Sequence, residues 1–69
     1  MTKEQYEQLM QHKQVIELFA RSGEYVGGYA PFYIHDQITG EKTDMSCPNC
    51  KAATLITIVQ LIKQYESSM

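Results

Sequence analysis

Cys47 and Cys50 are the only cysteines among the 69 residues, and they stand as Cys47-Pro48-Asn49-Cys50 directly ahead of a long apolar run. Two thiols three positions apart in the first turn of a helix reach toward the same point. Deprotonated, they are soft ligands that can share one tetrahedral zinc ion; oxidised, they can close a disulfide. Zinc takes four ligands, so the pair is half of a site. Within the chain, His12 is the candidate third ligand, because on an N-terminal helix it falls on the same side as Ile16 and Phe19. Asp44 stands three residues ahead of Cys47 and could add an oxygen, although it reads as a solvent-facing strand residue. His35 is set aside: the strand register given below puts it near a turn, about 17 Å from Cys47. A symmetric alternative brings Cys47 and Cys50 together from two copies of the chain, giving a four-thiolate site on a two-fold axis.

The pair with its following helix resembles the helix-borne half of a treble-clef zinc finger. That resemblance implies zinc and a second ligand pair on a knuckle, yet the segment from Gly23 to Tyr29 holds neither Cys nor His. The Cys-Pro-x-Cys order also resembles the active-site motif of glutaredoxins and related disulfide oxidoreductases. On that resemblance Cys47 is the nucleophile and Cys50 the resolving thiol. Those proteins also carry a proline facing the thiols, and here no proline follows Pro48.

The elements that must hold the pair are read from periodicity and punctuation. Residues 3 to 22 read as a helix: Thr2 and Gln5 make a capping-box pattern, and Gly23 is a left-handed stop. Leu9, Ile16, Phe19 and Ala20 form one face, flanked by Tyr6 and Val15, while Leu18 and Met10 lie outside it. Glu17 is placed to pair with Arg21. Residues 23 to 30 read as a linker around Gly27-Gly28, with Tyr25, Val26 and Tyr29 apolar enough to pack down. Residues 31 to 46 read as a β-hairpin turning at Asp36 to Glu41, with Gly40 in the left-handed position. In that register Phe32 faces Met45 and Ile34 faces Thr43, while Tyr33, His35, Lys42 and Asp44 point away. Residues 48 to 66 read as a second helix with Cys47 at the N-cap and Pro48 at the first helical position. Its apolar arc spans roughly 220°, against about 100° for an ordinary surface helix, so it is expected to be covered on more than one side. Ser67 to Met69 read as a frayed tail. The expected fold is α+β, one small α-β-β-α domain with two helices on one face of a hairpin.

Composition narrows the function classes. Six Lys and Arg against eight Asp and Glu give a net charge of −2. A chain without a basic cluster does not neutralise phosphates, so nucleic acid is not an expected partner. The segment from Ser22 to Asp36, which carries Tyr25, Tyr29 and Tyr33, has no Arg or Lys, which also disfavours stacking on bases. Gly27-Gly28 lacks the lysine and third glycine of a phosphate loop. The N-terminal residues are polar and the run from Ala52 to Ile62 is interrupted by Thr54, Thr57 and Gln60, so neither a signal peptide nor a membrane span is expected. The expectation is a cytoplasmic protein, where thiols stay reduced.

So small a chain buries a modest core, and two cysteines cannot build a disulfide framework; metal or a second subunit is the expected supplement. The sequence therefore reads as a non-enzymatic interaction module, a homodimer or a partner of another protein, with zinc at Cys47, Cys50 and His12. The alternatives are a dithiol redox protein using Cys47 and Cys50, and a metal-free adaptor working through the tyrosines or the second helix.

Overall fold

Four helices follow one another in the computed structural model, which describes residues 1–68: α1 (Lys3–Met10), α2 (Lys13–Ser22), α3 (Ala30–Thr39) and α4 (Pro48–Ser67). The expected α+β hairpin fold is overturned, since residues 31 to 39 are helical and no strand is present among the described residues.

The correction has a clear physical cause. Pro31 sits at the start of α3, where its missing N–H is no loss, and Gly40 ends the helix at φ 75°. A glycine in the left-handed region serves a helix C-terminus as well as a hairpin turn, so the signal taken for a turn is a helix stop. Pro31, Ile34, His35 and Ile38 recur at helical spacing, and all but Ile38, which is half-buried, are buried. Scoring His35 as polar hides that stripe and leaves Phe32-Tyr33-Ile34 looking like a strand. His35 is not an exposed strand-end residue; it is 6% exposed on the inner face of α3. The cross-strand pairs Phe32–Met45 and Ile34–Thr43 do not exist as such.

The helix expected over residues 3 to 22 is two helices. At Gln11 and His12 the bonding pattern tightens, with the His12 N–H donating to the Leu9 carbonyl at 3.0 Å. The break lets the halves choose different neighbours: α1 packs on α3 and α2 packs on α4. The capping box is complete, with the Gln5 N–H donating to Thr2 Oγ1 at 3.1 Å and the Thr2 N–H to Gln5 Oε1 at 2.9 Å. Gly23 closes α2 at φ 78°, its N–H donating to the Phe19 carbonyl at 2.8 Å. Glu17 pairs with Lys13 at 3.8 Å, one turn back, where Arg21 was the expected partner.

One core joins all four helices: Leu9 from α1, Ile16 from α2, Phe32 and Ile34 from α3, Leu55 and Ile58 from α4. Side chains of this kind contribute about 1.5–3 kcal/mol each on burial. α4 lies against both α2 and α3, which accounts for the breadth of its apolar arc and leaves Ile56 exposed. Its far end is tied to α1, where the Tyr6 and Tyr65 rings stack with centroids 4.6 Å apart and the Tyr6 hydroxyl donates to Glu66 at 2.7 Å. Ser67 is the last residue of α4 and Ser68 its C-cap; Met69, read as part of a frayed tail, lies outside the described residues. None of the described helices is long and apolar enough to cross a membrane.

Candidate functional site

Cys47 occupies the N-cap of α4 in an extended conformation, with Pro48 the first helical residue. A helix N-terminus leaves its first N–H groups without intrahelical acceptors. Here sulfur takes the place usually held by a Ser or Asp oxygen: the Cys50 N–H donates to Cys47 Sγ at 3.2 Å. The backbone is fixed on both sides, since the Lys51 N–H donates to the Cys47 carbonyl at 3.0 Å and the Cys47 N–H to the Asp44 carbonyl at 3.2 Å. Both thiols are free; Cys47 is half-buried and Cys50 exposed.

The two sulfurs are unequal. The neighbouring Cys50 thiol, then the Cys50 amide, hold the Cys47 thiol below its usual range, against opposition from partial desolvation and the Asp44 charge. Cys50 is pushed up, first by the Cys47 side chain and then by desolvation and the Asp44 charge. The first proton is therefore lost from Cys47, and the second costs more.

Asp44 is turned toward its own chain. Its Oδ1 accepts from the Ser46 hydroxyl at 2.6 Å and the Ser46 N–H at 3.0 Å, which hold its carboxyl below the usual range. It acts on the thiols through its charge.

Further back, a polar clasp ties the segment that carries Cys47 to the helices. Asp36 on α3 accepts from the Thr43 hydroxyl at 2.6 Å, from the Thr43 N–H at 3.1 Å and from His35 Nδ1 at 3.0 Å. The carboxylate can only accept, so His35 carries a proton on Nδ1. Thr43 Oγ1 also lies 3.2 Å from Thr54 Oγ1 on α4. The single Thr43 proton goes to Asp36, so the Thr54 hydroxyl is the donor in that bond. His35, Thr43 and Thr54 are buried, and the clasp satisfies them all.

The sequence-derived site is thus brought together in part. Cys47 and Cys50 meet as expected. His12 stands at the start of α2, half-buried, with no side-chain capping bond, and its carbonyl accepts the Ile16 N–H at 3.1 Å. Among the described residues no three His, Cys, Asp or Glu side chains are grouped closely enough to hold a metal ion, so His12 is not delivered to the thiols. Sequence reasoning passed over the clasp. Its one available signal is a polar residue, Thr54, at a core-facing position of an apolar helix, which calls for a polar partner.

Comparison with protein-family models, with curated proteins and with solved structures finds no match to this chain.

Proposed function

We propose that this chain is a small non-enzymatic interaction module in which Cys47 and Cys50 form a two-thiolate half-site for zinc, completed by ligands from another chain. A second copy is the simplest source, giving four thiolates across a two-fold axis. The observation that carries this reading is the Cys50 N–H donating to Cys47 Sγ at 3.2 Å beside an exposed second thiol. A metal-bound thiolate gains from such a donor, and the exposed Cys50 leaves the solvent side open to an incoming ligand pair. Binding would release thiol protons, the second from the harder-to-ionise Cys50, so affinity would rise with pH. The breadth of the α4 arc is no argument for a dimer, because α2 and α3 cover it; the case for a second copy rests on the half-site.

A dithiol redox role is the second reading. It is favoured by the opposite directions in which the thiols are shifted, since a low-pKa attacking thiol beside a higher-pKa resolving thiol suits disulfide exchange. A metal-free adaptor working through α4 or the tyrosines is the third.

Native mass spectrometry of protein purified without chelator, with metal analysis on the same sample, separates them. One zinc per two chains, lost together with the dimer in the Cys47→Ser and Cys50→Ser variants, is the expected result. A monomer that loses two hydrogens on mild oxidation and carries no zinc would replace this reading with the redox one. A metal-free chain whose melting and subunit count ignore both substitutions would leave the adaptor.

A further inference from the structure

Beside the first turns of α4, the α2–α3 linker forms an arch over a cleft of about 320 Å³, lined by Phe19, Tyr25, Tyr29, Phe32, Lys51 and Leu55 among others. The arch is built, in spite of its Gly27-Gly28 pair. The Tyr25 hydroxyl donates to the Gly28 carbonyl at 2.6 Å, and the Tyr25 ring stands edge-on to buried Phe32 with centroids 5.4 Å apart. Gly27 passes so close beneath that a Cβ there would lie 2.9 Å from the Tyr25 hydroxyl and 3.3 Å from Val15 Cγ2. Tyr29, at the far end of the arch, is more than half exposed although its ring is large and apolar. Lys51 enters from α4, half-buried, and pairs with no carboxylate among the described residues.

Aromatic side chains and a lysine without a carboxylate partner on the lining of one cleft make a specific demand. A flat ring can stack or pack edge-on against Tyr and Phe, and an anionic group on that ring can meet Lys51. We propose that this cleft binds a small aromatic carboxylate, its ring between the tyrosine arch and Phe19 and its carboxylate on the Lys51 ammonium. The volume is at the small end of ligand pockets, which suits one or two fused rings. The proposal is independent of the thiols and of any metal at them.

The test is a titration of the isotope-labelled chain with 2-naphthoate, followed by amide chemical shifts, alongside its neutral counterpart 2-naphthylmethanol. A ligand of this size is expected to bind with a dissociation constant on the order of 1 mM. Shifts should centre on Phe19, Tyr25, Tyr29, Phe32 and Lys51. Lys51→Met, which keeps the aliphatic stem, should weaken naphthoate about fivefold and leave naphthylmethanol unchanged. Gly27→Ala, which pushes the Tyr25 hydroxyl off Gly28, should weaken both ligands. Absence of shifts at about 10 mM ligand, shifts centred instead on Glu17 and Val59 between α2 and α4, or equal naphthoate affinity in the Lys51→Met chain would each overturn it.

Discussion

The Thr43 hydroxyl donates to Asp36 Oδ1 across 2.6 Å, and the Thr43 N–H reaches the same carboxylate at 3.1 Å. One side chain on α3 thus takes both donors of a residue seven positions later, in a segment that belongs to no helix. A buried backbone N–H outside regular structure must find a partner, and this one finds a carboxylate. Thr43 in turn receives the Thr54 hydroxyl, so the connection between α3 and α4 is pinned to both helices four residues ahead of Cys47.

Removing the charge from that carboxylate should loosen the pin. Asp36→Asn keeps the shape but exchanges charge-assisted bonds for neutral ones and sets an NH₂ against one of its donors. It is expected to cost about 2 kcal/mol, read as a lower urea midpoint at an unchanged slope. Asp36→Ala should cost at least as much. An unchanged midpoint in both variants would show that the Thr43 connection holds without Asp36.

The same carboxylate predicts an acid limb. Partial burial pushes Asp36 up, but the Thr43 hydroxyl, His35 and the Thr43 amide together outweigh it and leave the group below its usual value. A group depressed in the folded state contributes stability that is fully present above its unfolded value of about 3.9 and is lost as pH falls through the folded value. The stability difference between wild type and Asp36→Asn should therefore be constant near neutral pH and shrink below about pH 4. Urea unfolding of both chains across that range measures it. A difference that grew in acid would reverse the sign and remove the account.

How far the fold could be read in advance divides along a physical line. The start of α1, the end of α2 and the start of α4 were legible because caps are local: Thr2 with Gln5, Gly23, and Cys47 with Pro48 each declare themselves within a few residues. α3 was not, because a left-handed glycine after Asp36 fits either a hairpin or a helix end. What decides is the burial of His35 and its hydrogen bond to Asp36, both of which arise only in the folded chain. The α1–α2 break at Gln11 and His12 has no proline or glycine to announce it; it follows from where α3 and α4 lie. Of the site, the thiol pair and its place at the N-cap were legible. The clasp was not, since Asp36, Thr43 and Thr54 are joined by tertiary packing.

The glycines offer a check on the backbone. Gly40 and Gly23 hold φ of 75° and 78°, and a Cβ at either would meet no atom within 4 Å, so strain alone sets the cost of a side chain there. Gly40→Ala is expected to destabilise by about 1 kcal/mol. Gly28 is equally open but has no positive φ. Gly28→Ala should be neutral or stabilise by up to about 1 kcal/mol, through reduced freedom of the unfolded chain. Thermal melts of the two variants should fall on opposite sides of wild type or with Gly28→Ala level with it. The reverse order would place residue 40 outside the left-handed region.

The inequality of the two thiols is open to direct measurement. Alkylation by iodoacetamide as a function of pH, mapped by peptide, should label Cys47 at lower pH than Cys50, although Cys50 is the more exposed. Cys50→Ala should move the Cys47 profile upward, because it removes the largest cause of the lowering and leaves only the amide donors. Asp44→Asn should move both profiles downward, since its charge disfavours both thiolates. These three shifts differ in sign and site, so a general loosening of the segment cannot mimic them. If Cys50 were labelled first in the wild-type chain, Cys47 would not be the thiolate that the Cys50 amide holds, and both the zinc and the redox readings would lose their starting point.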